Sequence, residues 1–304
     1  MIYRMTVALR CVAIGILTLS GCTCGRPIGT SVSEVLQVSQ PTGAQIGNLP
    51  RLVFREEFND AGAMDLKDTK QPGFSFYLSR PFGWPVTSPD SIAVKEGILS
   101  IRNPVNKAQY DIASAAPLGG GKWVGFAHRG AAYFEASIAF NPEDMGRVPE
   151  KGGFPAFWTM SAEHLFGTFQ EEMKNPYEYL EIDFMEWNST WHAPEAYLQC
   201  IHHYVLENGL SRTQSFPKDF ISDTQGKVIR NLGSPDWRSF NTFGILWIPG
   251  DRIDTYFNNQ LVRSVKVKDY PEIGVGNDQH FPVILGSGHF PMRVDWVRVW
   301  AREP

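Results

Sequence analysis

Three features are scarce in this sequence. Cysteine occurs only four times in 304 residues and at no repeated spacing, which excludes a disulfide framework and gives no support for a structural zinc site. Charged residues make up only 20% of the chain and form no basic stripe, which excludes a nucleic-acid partner bound through its phosphates. The longest apolar run, near the amino terminus, is shorter than the about 20 residues that a membrane-spanning helix needs.

Aromatic residues, glycine and proline are abundant by contrast. The chain holds nine Trp, ten Tyr and twenty Phe, together with 28 Gly and 21 Pro. This mixture excludes a disordered chain, a coiled coil and a collagen-like repeat. So many aromatic rings indicate either an aromatic-rich core, which is the commoner explanation, or a cleft lined with flat apolar faces.

The first 22 residues have the pattern of a bacterial export signal. Arg4 and Arg10 make the start positively charged, and Cys11–Leu19 is a short apolar segment. The residues 19–22, read LSGC, resemble the lipobox of bacterial lipoproteins, and ordinary secretion is the alternative. The resemblance implies a signal peptide over 1–21 and a mature protein held to the membrane by a lipid on Cys22.

The segment that follows is typical of a tether. Thr23 stands where an Asp would indicate retention at the inner membrane, so we expect an outer-membrane lipoprotein of the bacterial cell envelope, on either face. Residues 22–48 are rich in Ser, Thr, Gln, Gly and Pro without sustained periodicity, which predicts a linker before a single domain over 49–304. We expect Cys200 to be a buried free thiol, and a disulfide with Cys24 is the alternative.

Short runs of alternating apolar and polar residues, separated by Gly, Pro, Asn and Asp, continue from Leu52 to the end of the chain. This pattern predicts β-strands throughout, arranged as a two-sheet sandwich or a barrel. Asn258 and Asn259, between two such runs, predict a hairpin turn. Short helices are predicted only near Glu163–Phe166 and Gln170–Lys174.

Three carboxylates are concentrated in one predicted strand. Glu181 and Asp183 are two residues apart and therefore share a face, whereas Glu186 would point to the opposite face of a regular strand. One extra residue in a β-bulge at Phe184-Met185 would return Glu186 to the face of the other two acids. The spacing then predicts three carboxylates along one groove.

Such a row is electrostatically costly, because close like charges disfavour joint ionisation. Retaining glycosidases use this arrangement, since they need one ionised nucleophile and one protonated acid with carboxyl groups about 5–5.5 Å apart. A solvated strand face and a cation site built from the same acids are the alternatives.

The six residues 181–186, read EIDFME, resemble the E-x-D-x-x-E signature of glycoside hydrolase family 16, in its bulge-containing, laminarinase-like branch. Other segments resemble the family in the same order across residues 50–302; they are Val53–Phe58, Glu96–Ile101, Tyr133–Ala136, Gly153–Met160, Phe243–Trp247 and Val294–Trp300. The resemblance implies an all-β fold, a β-jelly roll sandwich of two curved antiparallel sheets, with the substrate groove on the concave face. It also implies that Glu181 is the nucleophile, that Glu186 is the general acid and base, and that Asp183 hydrogen-bonds the nucleophile.

Four tryptophans are candidates for contact with sugar. Trp158 and Trp187 flank the acids in the strand order of the family or in sequence, and indole rings stack well on the apolar faces of pyranoses. Trp84 and Trp123 lie in segments rich in Gly and Pro, where they either form outer subsites or pack the loops.

A histidine and a calcium ion are also implied by the resemblance. Members of the family often place a histidine in the groove from the strand beside the catalytic one. Of the adjacent pair, His202 matches better than His203, and only one of them can face the groove. A structural Ca²⁺ is implied at Glu57, the Gly97 carbonyl and Asp295, although a hydrogen-bond cluster would use the same groups. No cofactor is expected for catalysis.

The substrate is expected to be a polysaccharide. The departures from the family, Phe154, Leu285–Gly288 and the segments 161–177 and 207–230, all affect subsites rather than the acids. Few basic residues surround the groove segments, which argues against strongly sulfated chains. We expect a monomeric retaining endo-glycosidase that hydrolyses a β-1,3- or β-1,3-1,4-glucan. The alternatives are a galactan-cleaving (agarase- or carrageenase-like) enzyme, a transglycosylase, and a non-catalytic carbohydrate-binding lipoprotein.

Overall fold

A computed structural model of the chain describes residues 38–79, 87–102, 109–120, 122–145, 153–166, 177–187, 195–207, 210–216, 228–229, 232–288 and 290–302. The predictions for Cys22, Cys24 and Trp84, and that of a helix at Gln170–Lys174, lie outside these residues. Gln40–Pro304 forms one compact unit. No helix in the described part of the chain has the length and apolar character needed to cross a bilayer.

The described residues form an all-β unit with two short α-helices, α1 (Thr42–Ile46) and α2 (Ala162–Leu165). Its strands in chain order are β1 (Arg51–Glu56), β2 (Met64–Asp65), β3 (Phe76–Ser79), β4 (Ile92–Lys95), β5 (Ile98–Ile101), β6 (Tyr110–Ala113), β7 (Ala115–Gly119), β8 (Lys122–Gly125), β9 (Ala132–Phe140), β10 (Ala156–Met160), β11 (Glu178–Glu186), β12 (Tyr197–Glu207), β13 (Leu210–Phe216), β14 (Val228–Ile229), β15 (Asn241–Ile248), β16 (Arg252–Phe257), β17 (Gln260–Lys266), β18 (Ile284–Ser287) and β19 (Met292–Ala301).

The strands form two large sheets that stack as a sandwich. The first sheet has the order β17-β16-β15-β9-β19-β5-β4, with β1 added beside β19. The second has the order β13-β12-β11-β10-β18-β6-β3-β2, with β14 added beside β12. Apart from β2 and β3, the paired strands run antiparallel, and β7 and β8 form a separate ribbon. The predicted jelly-roll sandwich is confirmed.

The inner faces of the two sheets meet in one aromatic core. Phe134 on β9 lies 5.3 Å from Phe184 on β11 between ring centroids, and Phe157 on β10 lies 4.8 Å from Phe184 in an edge-to-face contact. All three side chains are almost completely buried. Burial of each such ring contributes about 1.5–3 kcal/mol, so the aromatic excess of the sequence stabilises this interface between sheets.

The hairpin predicted at Asn258-Asn259 joins β16 to β17 and is confirmed. Both residues have positive φ values, 46° and 65°, as a two-residue turn of this kind requires, and asparagine tolerates this backbone region better than most residues. The Asn258 side chain also accepts a hydrogen bond from the Thr242 amide at 2.9 Å, which ties the turn to β15.

The compact unit begins before the boundary expected from the sequence. Residues 40–48, assigned above to the linker, include α1, which lies against β9 and β15. Ala44 and Leu49 are completely buried, and the Thr42 amide donates to the Asn259 side chain at 2.7 Å. The helix is only five residues long, too short for an apolar periodicity to reveal it in the sequence.

Candidate active site

Strand β11 carries three carboxylates on one face of the second sheet, which we call the acid face. Between Asp183 and Glu186, β11 contains one residue more than β10 and β12 opposite it, so the predicted bulge is present in the register. Phe184 and Met185 are both buried in the core, and Glu186 returns to the face of Glu181. The expected alignment of the three acids is therefore present.

The acids are crowded and mostly buried. Glu181 is 8% exposed and Asp183 is 2% exposed, whereas Glu186 is half-buried. Burial raises the pKa of Glu181 well above its ordinary value, and the charges of Asp183 and Glu186 raise it further. Hydrogen bonding to the Asp183 carboxyl group also favours the protonated form of Glu181. The surroundings of Glu181 in the unliganded protein therefore favour its neutral form over its charged form.

Tyr204 opposes this rise of the Glu181 pKa. Its hydroxyl donates a hydrogen bond to Oε2 of Glu181 at 2.8 Å, which favours the ionised carboxylate. The ring is held by a stack of parallel rings, since Tyr204 lies 4.6 Å from its cross-strand partner Tyr179, which lies 3.5 Å from His164 between centroids. The donor is thus positioned by packing before any substrate binds.

Asp183 has two further polar neighbours on β12. The Cys200 thiol donates to Oδ2 of Asp183 at 2.7 Å, and Nε2 of His202 lies 3.2 Å from the same oxygen. Nδ1 of His202 is hydrogen-bonded to the Ser215 hydroxyl at 2.7 Å, which orients the ring. His202 therefore lies on the acid face, where the sequence placed it.

His203 points to the other side of β12. It is 5% exposed, and its Nε2 lies 2.7 Å from Oε2 of Glu178. We expected the histidine that does not face the groove to be buried and hydrogen-bonded, and His203 is both. The alternation of β12 separates the two rings.

Trp158 lies on the acid face but is not an exposed platform. It pairs with Asp183 across β10 and β11, and only 4% of its surface is exposed. Its indole nitrogen donates to Oδ1 of Asp111 at 3.3 Å. Burial raises the pKa of Asp111 to about 7, although the hydrogen bonds from Trp158 and Gln109 lower it. The Trp158 indole thus binds the buried Asp111 carboxyl group, and its contact with sugar stays a prediction.

The prediction that Trp187 touches sugar is wrong. The side chain is 1% exposed and packs in the core, 5.1 Å from Phe140 between ring centroids. The physical reason is alternation, because Trp187 directly follows Glu186 and must point to the opposite face. Nearness in sequence to the acids misled the assignment.

Trp123 is half-buried on β8, where its ring centroid lies 5.2 Å from that of His280. His280 in turn contacts Glu163 through Nδ1 at 2.6 Å. This position is compatible with both predicted roles of Trp123, that of an outer subsite and that of loop packing. Its role in substrate binding stays a prediction.

The groups expected to hold calcium do not fit that ion. The guanidinium of Arg298 donates to both carboxylate oxygens of Glu57, at 3.0 Å and 3.2 Å, and Arg55 adds a third contact at 2.8 Å. Two arginines thus already neutralise Glu57, and a divalent cation there would meet like charges. Asp295 lies near the same cluster, where burial and the Glu57 charge raise its pKa. We therefore derive no role for calcium.

Several residues of the acid face escaped the sequence reasoning. Cys200 and Tyr204 each lie two residues from the predicted His202, a spacing that would have placed them on the same face of β12 once that strand was set beside β11. Asp111 and Gly286 face one another on β6 and β18, far from the acids in sequence. Only the order of strands in the sheet brings these two to Trp158.

The fold is shared with solved structures of polysaccharide-active proteins. No protein-family model matches the sequence, and no curated protein sequence is similar to it. The chain is similar to the structure of BuGH16Bwt at 15% identity and a TM-score of 0.52, with 81% of this chain and 90% of that chain covered. It is similar to β-agarase A in complex with oligoagarose at 17% identity and a TM-score of 0.51, with the same coverage of 81% and 90%. A third similar structure is the laminarinase catalytic domain of Thermotoga maritima MSB8, at 17% identity and a TM-score of 0.50, covering 84% and 99%.

Proposed function

We propose that the protein is a retaining endo-glycosidase of glycoside hydrolase family 16 that hydrolyses a β-linked polysaccharide, most directly a β-1,3- or β-1,3-1,4-glucan. The observation that carries the proposal is the row of three carboxyl groups on one face of β11, in which Asp183 and Glu186 raise the pKa of Glu181. A row of buried like charges has no value for stability, whereas double displacement at a sugar requires an ionised and a protonated acid together.

The roles follow from the contacts of each acid. Glu181 would attack the anomeric carbon and form the glycosyl–enzyme intermediate, helped by the Tyr204 hydroxyl that stabilises its anion. Glu186, the most exposed of the three, would protonate the leaving oxygen and then activate water.

A panel of polysaccharides tests the activity. Laminarin, lichenan, agarose and carrageenans are suitable members, because the similar folds include a laminarinase and an agarase. We expect cleavage of laminarin or lichenan with retention of anomeric configuration, seen by proton NMR of the first products. Binding without cleavage across the panel would leave the carbohydrate-binding lipoprotein as the better explanation, and cleavage of agarose alone would favour the galactan-cleaving alternative.

Two variants and one matched control assign the acids. Glu186→Gln should lower kcat by about 10²–10⁴-fold, and Glu181→Gln should abolish turnover while polysaccharide binding is kept. Glu178→Gln, at the start of the same strand but bonded to His203, should retain activity. Label from heavy-oxygen water in the new reducing ends separates hydrolysis from transglycosylation.

We also propose that the protein is a monomeric outer-membrane lipoprotein anchored through Cys22. The support is the LSGC segment after a short apolar stretch. Labelled palmitate should be incorporated in bacterial cells and lost in Cys22→Ala, while Cys24→Ala should keep the label. Equal labelling of both variants would contradict the anchor.

A further inference from the structure

Three potential metal ligands converge on the acid face from two adjacent strands. Asp183 and Cys200 are direct cross-strand partners on β11 and β12, and His202 follows two residues after Cys200 on the same face. Their donor atoms all lie within 4.8 Å of one another. Oδ2 of Asp183 is 2.7 Å from Sγ of Cys200 and 3.2 Å from Nε2 of His202, and the last two atoms are 3.1 Å apart. Spacing along the chain could not reveal this set, because one ligand comes from another strand.

We propose that Asp183, Cys200 and His202 form a binding site for a borderline-soft divalent cation, of which Zn²⁺ and Cd²⁺ are the representatives. A thiolate, an imidazole nitrogen and a carboxylate oxygen are together the donor types that Zn²⁺ selects, and hard cations such as Mg²⁺ do not favour sulfur. Binding replaces the thiol proton of Cys200, which leaves to the buffer, so the sulfur coordinates as a thiolate.

The contacts around the three donors suit this assignment. Nδ1 of His202 is occupied by the Ser215 hydroxyl at 2.7 Å, so Nε2 is the nitrogen presented to the other two ligands. Tetrahedral bonds of about 2.0 Å to nitrogen and oxygen and about 2.3 Å to sulfur set the donors about 3.3–3.5 Å apart, so each pair needs to separate by less than about 1 Å. His202, 17% exposed at its side chain against 2% for Asp183, is the ligand beside which an ion would enter, and with three protein ligands the fourth would be water.

The site would compete with the proposed reaction, and this part rests on the proposed function. Asp183 lies between Glu181 and Glu186 on the acid face, so an ion held by Asp183 would stand beside both proposed catalytic acids. Bound Zn²⁺ would therefore inhibit hydrolysis reversibly. The metal-binding proposal itself concerns only the three ligands and is measured without substrate.

Titration of the reduced full chain with Cd²⁺ tests the site, since thiolate–cadmium coordination gives a charge-transfer absorption in the ultraviolet. Subtracting the absorption of Cys200→Ser from that of the wild type removes the contributions of Cys11, Cys22 and Cys24. We expect a saturable difference band at one ion per chain. His202→Gln should weaken its apparent affinity by about 10–100-fold, whereas His203→Gln, with its ring on the opposite face, should leave it unchanged.

Thermal unfolding of each variant shows whether a loss of metal binding comes from the missing ligand or from misfolding. Cys200→Ala replaces Cys200→Ser in the experiment if the serine variant does not fold. Absence of the difference band, or equal affinity in wild type and His202→Gln, would overturn the metal site. Zn²⁺ should inhibit hydrolysis by the wild type, and a chelator should restore that activity. If Cys200→Ser is active, Zn²⁺ should not inhibit it. A wild type that binds Cd²⁺ but cleaves nothing in metal-free buffer would defeat the proposed function and leave the site standing.

Discussion

Glu181 has a raised pKa because it is buried and lies near the charges of Asp183 and Glu186. Asp183 accepts a hydrogen bond from the Cys200 thiol and lies beside His202. Glu181 has the Tyr204 hydroxyl as its main anion-stabilising contact. The surroundings of the prospective nucleophile in the unliganded protein thus favour its protonated form.

The raised pKa of Glu181 makes the stability of the protein depend on pH. Between the ordinary value of 4.5 and the raised pKa, the folded state binds more protons than the unfolded state, so stability falls as the pH rises through this window. Glu181→Gln removes this titration. It should be more stable than wild type above the window, and the difference should shrink as the pH falls toward 4.

Urea unfolding from pH 4 to pH 8 measures this difference. Glu96→Gln is a suitable control, because its side chain is 81% exposed and its replacement should change stability by less than about 0.5 kcal/mol at any pH. A destabilised Glu181→Gln at pH 8 would show that the buried carboxyl group is fully stabilised by its neighbours.

Tyr204 should set the acid side of the pH–activity profile. Tyr204→Phe removes the donor that lowers the pKa of Glu181, so the pKa rises and the ascending limb should move to higher pH. A hydrogen bond to a charged group is worth about 1.5–3 kcal/mol, which corresponds to a loss of about 10–100-fold in kcat/KM near neutral pH. A uniform loss with no shift of the limb would mean that Tyr204 only packs the site.

At the scale of the strands, a glycine makes room for the Asp111 carboxyl group. A Cβ on Gly286 would lie 1.9 Å from Oδ1 of Asp111 and 2.4 Å from Nε2 of Gln109, closer than atoms can approach. Gly286→Ala should therefore cost about 1–3 kcal/mol and displace the partner of the Trp158 indole.

A thermal-shift comparison checks the Gly286 prediction. Gly274→Ala is the matched control, because nothing lies within 4 Å of a Cβ there and it should be close to neutral. Asp111→Ala in the Gly286→Ala background should recover part of the loss, since it removes the clashing carboxyl group. Equal effects at the two glycines would contradict the tight contact.

Local sequence patterns predicted the strands better than they predicted the neighbours of each strand. Alternation and the odd spacing of Glu186 were enough to expect the bulge and the acid face, and Asn258-Asn259 was enough to expect the turn. The contact between Trp158 and Asp111 depends on β10, β18 and β6 lying side by side, which alternation does not specify. Trp187 was misplaced where nearness in sequence was preferred to alternation.

At the scale of the whole molecule, the amino-terminal edge of the compact unit packs against β9 and β15 of the first sheet. Gln40 donates to the Leu49 carbonyl at 3.1 Å, and Arg302, after the last strand, donates to the Gly47 carbonyl at 3.2 Å. Segments far apart in the sequence are therefore joined at this edge. The short helix α1 acts as part of the domain rather than as part of a linker.

Two truncations test this boundary. A chain starting at Gln40 should keep the thermal stability of the longer protein, whereas one starting at Leu49 should lose on the order of 2–4 kcal/mol, because Ala44 and the contacts of α1 are removed. Calorimetric scans of the two proteins measure the difference. Identical melting temperatures would mean that residues 40–48 belong to the linker and not to the folded domain.

The acid face extends across five neighbouring strands, from the half-buried His202 on β12 to the half-buried Gln109 beside β6. Four spacings of about 4.8 Å separate these ends by about 19 Å, a distance that one or two sugar rings cannot bridge. Sugars bound far from the scissile bond can raise kcat only if the substrate is long enough to reach them. Measured on an oligosaccharide ladder, kcat/KM should climb steeply with the number of sugars and then level off, and a disaccharide cleaved as fast as the longest member would contradict this dependence on chain length.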